Sequence, residues 1–63
     1  MTRVEAYKLM LEGKQVIHPK FPDSVWAMGS DRIIRTNNTT LDWSEVFFLL
    51  DTLHDGWLVY VKT

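Results

Sequence analysis

The spacing of apolar and polar residues predicts a helix at the start of the chain. Thr2 and Glu5 have the spacing of a capping box, in which each side chain satisfies an amide of the first helical turn. Gly13 stands where a glycine commonly ends a helix. The stripe that we expect to pack inward is Val4, Tyr7 and Leu11, with Ala6 and Met10 beside it.

The middle of the chain has the pattern of three short strands. Residues 15–18 are rich in β-branched side chains and run into a proline-bounded segment, 19–23, that predicts a loop. Residues 25–28 and 32–35 are separated by Gly-Ser-Asp at 29–31, which is typical of a tight hairpin.

A second helix is predicted after residue 41. Asp42, with Glu45 three positions later, repeats the capping pattern. The residues expected to face the core recur with helical spacing and are Trp43, Val46, Phe47, Leu50 and Leu53. Phe48 lies off that stripe, where an aromatic ring would be exposed on a monomer, and is therefore the first candidate for a subunit contact.

The chain closes with an apolar strand after Asp55-Gly56. Residues 57–61 are apolar on both alternating sets, so one set packs on the helices and the other needs cover; Trp57 and Tyr60 are the interface candidates from this strand. The predicted fold is α+β in a single domain, 1–63, with an N-terminal helix, a small antiparallel sheet of about four strands, and a second helix before the last strand.

Length and composition favour an oligomer. The chain has 63 residues, no cysteine and eight aromatic residues, three of them Trp. A domain this small has a marginal core and needs a disulfide, a metal or association to stabilise it. Without cysteine we expect a homo-oligomer in which some aromatic rings face a partner copy.

The charge and hydropathy patterns limit the classes of partner that we expect the protein to bind. A net charge of −1 argues against general nucleic-acid binding, although residues 13–38 have four basic and two acidic side chains and form the more basic part. The chain lacks an apolar run long enough to cross a membrane and has no signal-peptide pattern at its start, so we expect a cytoplasmic protein.

Catalytic and metal-binding patterns are missing. Ser24, Ser30 and Ser44 do not lie in a strand-turn-helix elbow, and His54 is better explained by hydrogen bonding to carbonyls at a helix end. Two isolated histidines lack the spacing of a metal site, and no glycine-rich phosphate loop occurs. We therefore expect no enzyme activity, no metal and no cofactor.

Aromatic and basic residues instead suggest ligand binding. A ring that stacks on a base and a cation that neutralises a phosphate are the two elements of a nucleotide site. The residues of these types within a short stretch are Lys20, Phe21, Trp26, Arg32 and Arg35. For Trp26, core packing is an equally good explanation.

Both ends of the chain resemble a family of small phage proteins. Residues 5–21, EAYKLMLEGKQVIHPKF, are similar to an opening of the form E-A-L-x-x-L-x-x-G-K-x-V, followed by a basic residue and, three positions later, Trp. His18 takes the basic position and Phe21 the Trp position. The ending, with Trp43, a leucine pair at 49–50, Asp55 and Trp57, is similar as well. Lys20-Phe21 replaces the usual Gly-Trp, and Gly56 separates the acid from the Trp.

The family is that of the Thoeris anti-defence proteins, phage sponges that sequester cyclic nucleotide-type immune signals. The resemblance implies a homo-oligomer, commonly a tetramer, with ligand pockets at subunit interfaces and no degradation of the ligand. His18 joins the candidate ligand residues on this ground. An inhibitor that docks on a host protein through Phe48 and Trp57 is the alternative, and an enzyme is the third hypothesis.

Overall fold

A four-stranded antiparallel sheet organises the chain. The structure, a computed structural model, describes residues 1–37 and 40–61. The strands lie in the order β3-β2-β1-β4, which confirms the predicted α+β class and element order. The elements are α1 Arg3–Leu11, β1 Val16–His18, β2 Phe21–Met28, β3 Ile34–Thr36, α2 Ser44–Leu49, a 3₁₀ turn Asp51–Leu53 and β4 Leu58–Val59.

The predicted ends of α1 are confirmed. The Thr2 hydroxyl accepts a hydrogen bond from the Glu5 amide, and the Glu5 carboxylate accepts one from the Thr2 amide at 3.0 Å. The bond from the Thr2 amide, followed by that from its hydroxyl, lowers the pKa of Glu5. At the other end Gly13 has φ +86°, the left-handed conformation that glycine adopts without strain.

The inward face of α1 differs from the prediction. Ala6 and Met10 are buried, whereas Val4 and Leu11 are 62% and 45% exposed. Tertiary hydrogen bonds orient the helix: the Arg3 amide donates to the His54 carbonyl at 2.9 Å, and the Arg3 guanidinium donates to carbonyls of the α2 end. The small Ala6 side chain then lies against the core, and of the expected inward stripe only Tyr7 packs against the core, while Val4 and Leu11 face outward.

The β1–β2 connection is shorter than predicted. His18 pairs with Phe21 across a turn at residues 19–20, so β2 begins inside the segment expected to be a loop. The register then shifts, because the next pair is Ile17 with Val25, and residues 22–24 have no paired position on β1. Pro22, which lacks an amide hydrogen, is tolerated in this irregular stretch.

The second helix is interrupted before it completes the predicted core stripe. Phe47 and Leu53 are buried as expected, but Leu50 has an extended backbone and is 39% exposed, contrary to the prediction. The carbonyls of Phe48 and Leu50 accept hydrogen bonds from the Arg3 guanidinium at 2.7 and 2.6 Å, which satisfies the groups that a continued helix would have used.

The structure tests the predicted roles of two side chains at helix ends in the second half of the chain. The predicted cap at Asp42 and Glu45 is wrong: α2 has Trp43 at its N-cap without a side-chain cap bond, and Asp42 instead accepts a hydrogen bond from the Ser44 amide at 2.8 Å. His54 Nδ1 lies 2.7 Å from the Asp51 carbonyl, which confirms that His54 bonds a carbonyl at the end of a helical turn. Both side chains therefore have local structural roles.

Aromatic rings form the centre of the core. The Trp26 indole is buried and contacts Phe47, Trp43, Phe21 and Trp57, with ring centroids 5.3 Å apart in the Trp26–Trp57 pair. Trp57 is also fully buried, and its Nε1 donates to the Leu53 carbonyl at 2.7 Å. The expectation that Trp57 faces a partner is therefore wrong for this protomer, because the indole fills the space between sheet and helices.

Within the described residues, no helix covers the opposite face of the sheet. Val16 and Trp26 pair across β1 and β2 and are buried, so their neighbours Ile17 and Val25, which also pair, point to the other face. Leu58 pairs with Ile17 and is 55% exposed. An apolar row thus crosses three strands on the uncovered face.

Gly56 supports a specific prediction, with Gly13 as a matched control. Both residues have positive φ, +95° and +86°, so alanine at either position should cost about 1–2 kcal/mol of stability. Only at Gly56 would the added Cβ lie 3.3 Å from His18 Nε2; nothing lies within 4 Å at Gly13. Gly56→Ala should therefore lower the free energy of unfolding in urea more than Gly13→Ala does. Equal losses would show that the His18 contact is unimportant.

Candidate functional site

The residues predicted to bind a ligand lie in two separate groups. His18, Lys20 and Phe21 lie at the β1–β2 turn, where β2 begins. Arg32 lies in the loop that follows β2, and Arg35 lies on β3 opposite Ala27, near the other end of β2. The eight residues of β2 span roughly 20 Å at the usual rise of a strand. The structure therefore leaves Lys20 beside Phe21, the expected stacking ring, but does not bring Arg32 and Arg35 to that ring within one protomer.

His18 is held by the protein's own contacts. Its Nδ1 accepts a hydrogen bond from the Lys20 amide at 3.0 Å, so Nε2 bears the hydrogen of a neutral ring and donates it to the Asp55 carbonyl at 2.8 Å. The ring is buried and lies edge-on to Trp57, with centroids 5.0 Å apart. Both nitrogens are thus used, and His18 has a structural role here.

Trp26 and Phe21 differ in their access to solvent. Trp26 is 1% exposed, which favours the core explanation over the ligand-binding one. Its Nε1 has no hydrogen-bond partner within residues 1–37 and 40–61. Phe21 is partly exposed and packs against Trp26 with ring centroids 6.1 Å apart, so part of its surface is free to contact another molecule.

Arg35 is committed to an ion pair. Its guanidinium donates to both carboxylate oxygens of Asp31, at 3.3 and 3.0 Å. The side-chain bonds from Arg35, followed by the Ile33 amide, lower the pKa of Asp31, and the same pair raises the pKa of Arg35. An added Cβ at Gly29 would lie 2.9 Å from Asp31 Oδ1, so the absence of a side chain there leaves room for the carboxylate.

Arg32 has an unusual backbone. It is the non-glycine residue with positive φ in the described chain, at 64°. The Arg32 amide donates to the Gly29 carbonyl, and the Gly29 amide donates to the Ile33 carbonyl, which closes a three-residue hairpin loop. Glycine is the usual residue at the left-handed position of such a loop. Arg32 also forms no hydrogen bond or ion pair through its side chain with the described residues.

A groove lies beside this hairpin. It has a volume of about 420 Å³ and runs between the end of α1 and the β2–β3 loop. Met10, Leu11 and Met28 supply apolar walls, and Ser30 and Arg32 supply polar groups. Sequence reasoning singled out Arg32 but missed the rest, because only the fold places the end of α1 beside the hairpin.

A second surface of interest covers the outside of the two helices. We define the α1–α2 patch as Val4, Tyr7, Leu11 and Phe48: the first three share one stripe of α1, and the Tyr7 and Phe48 ring centroids are 5.3 Å apart. Phe48 is 45% exposed, as predicted. Tyr60, the remaining interface candidate, is partly buried beside β1, and its amide donates to the Gln15 carbonyl.

The described residues contain no group of three or more metal-ligating side chains. Within the same residues, neither helix has the length and apolar character needed to cross a membrane. Comparison of the chain with family models, with curated proteins and with solved structures gives no match in any of the three.

The Asp31–Arg35 pair predicts a pH effect. Because the folded pKa of Asp31 is lowered, this carboxylate stabilises the fold above its ordinary pKa, and the contribution is lost as the pH falls through the lowered value. Arg35→Ala should move the pKa of Asp31 back up toward 3.8, as measured by NMR titration of its carboxyl carbon. Glu5, whose pKa is lowered by Thr2, is the internal control and should not change. An unchanged Asp31 titration would contradict the ion pair.

Proposed function

We propose that the protein is a phage anti-defence sponge that acts in the cytoplasm of the host cell. Copies associate through the α1–α2 patch, and the assembly binds and sequesters a cyclic nucleotide-type immune signal without degrading it. The observation that supports this proposal most is the exposed apolar surface on the outside of the helices.

The α1–α2 patch is apolar, although the outer surface of helices in a monomer is usually polar. Val4 and Leu11 are exposed on α1, and Phe48 on α2 extends the same surface through its contact with Tyr7. A contiguous apolar area on a small protein marks an interaction site more often than a free surface. Burying rings and aliphatic side chains there would supply stability that a core of this size lacks.

The charges beside the patch suit contact with an identical copy. Glu5, Lys8 and Glu12 lie along the solvent side of α1, in the order acid, base, acid. When two such helices meet antiparallel with Lys8 opposite Glu5 or Glu12, each Lys8 lies near a carboxylate of the other copy. A two-fold arrangement therefore combines apolar burial at the centre with complementary charges at the rim.

The class of ligand follows from the resemblance to the Thoeris anti-defence proteins. In that family the pockets lie where subunits meet, and Phe21 and Lys20 are the partly or fully exposed residues that a neighbouring copy could complete into a site. Binding alone suffices for this function, because a signal held in a complex no longer reaches its receptor.

Phe48→Asp should dissociate the oligomer. A carboxylate at the centre of an apolar contact would be desolvated without a partner, which disfavours association strongly. Light scattering should show a shift of mass toward the monomer. Leu58→Asp, on the uncovered sheet face, is the matched control and should leave the mass unchanged. Dissociation by Leu58→Asp alone would place the interface on the sheet instead.

The purified protein should release or absorb heat with at least one member of a calorimetric panel of cyclic nucleotides and cyclic ADP-ribose isomers. The ligand should be recovered unchanged after the protein is denatured, since no bond is broken. Absence of binding across the panel would contradict the sponge, and turnover of any member would make the protein an enzyme.

An inhibitor of a host protein remains the second candidate, favoured by the exposure of Leu49, 74%, next to Phe48. A pull-down from host lysate that returns one dominant partner with the wild-type chain and none with Phe48→Asp would support this candidate. Such a result together with a silent ligand panel would replace the sponge.

A further inference from the structure

We infer that the groove between α1 and the β2–β3 hairpin is a binding site for a small organic phosphate, and that Arg32 is the residue that binds the phosphate. This inference deepens the proposed function and rests on it for the class of ligand. The site lies within one protomer and shares one residue, Leu11, with the α1–α2 patch.

The backbone of Arg32 is the first argument. The left-handed position of a three-residue hairpin loop is the place where glycine costs least, and a residue with a side chain is strained there. Arg32 occupies it with φ 64°. Its amide bonds to the Gly29 carbonyl, but its side chain forms no hydrogen bond or ion pair with the described residues, which makes this strained residue a candidate for a functional role.

The charge of Arg32 is the second argument. Asp31, the neighbouring acid, is paired with Arg35 through two hydrogen bonds, so its charge is already neutralised. Arg32 lines the groove, and its guanidinium is left as a cation without an ion-pair partner in residues 1–37 and 40–61. A guanidinium binds a phosphate through two parallel hydrogen bonds, and Ser30 can add a hydroxyl donor.

The shape of the groove orients the ligand. Its opposite end is formed by the last residues of α1, where the partial negative charge of the helix C-terminus disfavours an anion. The phosphate therefore lies at the Arg32 end, and the apolar body of the ligand lies against Met10 and Leu11. A volume of about 420 Å³ accommodates a molecule the size of a mononucleotide.

The Arg32→Gly variant should change thermal stability and ligand affinity in opposite directions. Glycine relieves the backbone strain, so the variant should unfold at a temperature roughly 4–8 °C higher for each kcal/mol of strain removed. The same change removes the cation, so the affinity for adenosine 5′-monophosphate should fall roughly 10- to 100-fold. A purely structural arginine would not combine a gain of stability with a loss of binding.

Amide shifts in NMR spectra locate the site. Titration of the wild-type protein with adenosine 5′-monophosphate should move the amides of Gly29, Ser30 and Arg32, and inorganic phosphate should move the same amides more weakly. Adenosine, which lacks the phosphate, should not move them. Shifts confined to the β1–β2 turn around Lys20, or no shifts at all, would overturn the inference.

Lys14→Ala is the control variant. Lys14 is an exposed cation whose Nζ lies 3.9 Å from Glu12 Oε1, it does not line the groove, and its loss should leave binding of the monophosphate unchanged. If Lys14→Ala weakens binding as much as Arg32→Gly does, the loss reflects the overall charge and the groove is not the site. Wild-type binding in these titrations together with a silent panel of cyclic ligands would retain the groove and contradict the sponge, which keeps the two proposals distinguishable.

Discussion

The contact between Trp26 and Trp57 is the interaction on which the rest of this structure depends. Trp26 lies on the strand that pairs with both β1 and β3, and Trp57 precedes the edge strand β4. Truncation of a buried aromatic residue costs about 3–5 kcal/mol, while a domain of this length has roughly 3–9 kcal/mol of stability in total. The pair connects a central strand of the sheet to the segment before β4, His18 on β1 contacts the same indole with ring centroids 5.0 Å apart, and the hydrogen bond from Trp57 Nε1 to Leu53 adds the 3₁₀ turn.

The packing of this core determines which apolar side chains remain exposed. Because the largest rings fill the space between sheet and helices, the exposed apolar surface is mainly aliphatic, with Phe48 as its most exposed aromatic residue. The helix α1 has apolar side chains on two faces. Ala6 and Met10 face the core, since a small residue and a flexible one fit beside two indoles, and the bulkier stripe of Val4 and Leu11 faces outward. The surface proposed for self-association is therefore a consequence of how the core is packed.

The two arginines of the β2–β3 hairpin have different environments because they occupy different positions in it. Arg35 lies on β3 and reaches Asp31, so its charge is used within the fold. Arg32 lies in the loop itself, where its backbone is strained and where it lines the groove. Backbone strain therefore falls on the residue for which we propose a binding role, a combination that is common at functional sites.

The sequence by itself determined the elements and many of their ends. The capping box at Thr2 and Glu5, the carbonyl contact of His54 and the exposure of Phe48 were all predictable, because they depend on residues close together in the chain. Only the tertiary structure decided which face of α1 is buried, that Trp57 is internal, and that the predicted ligand residues are divided between two ends of β2. These outcomes depend on contacts between distant segments, such as Arg3 with the end of α2, and local periodicity contains no information about them.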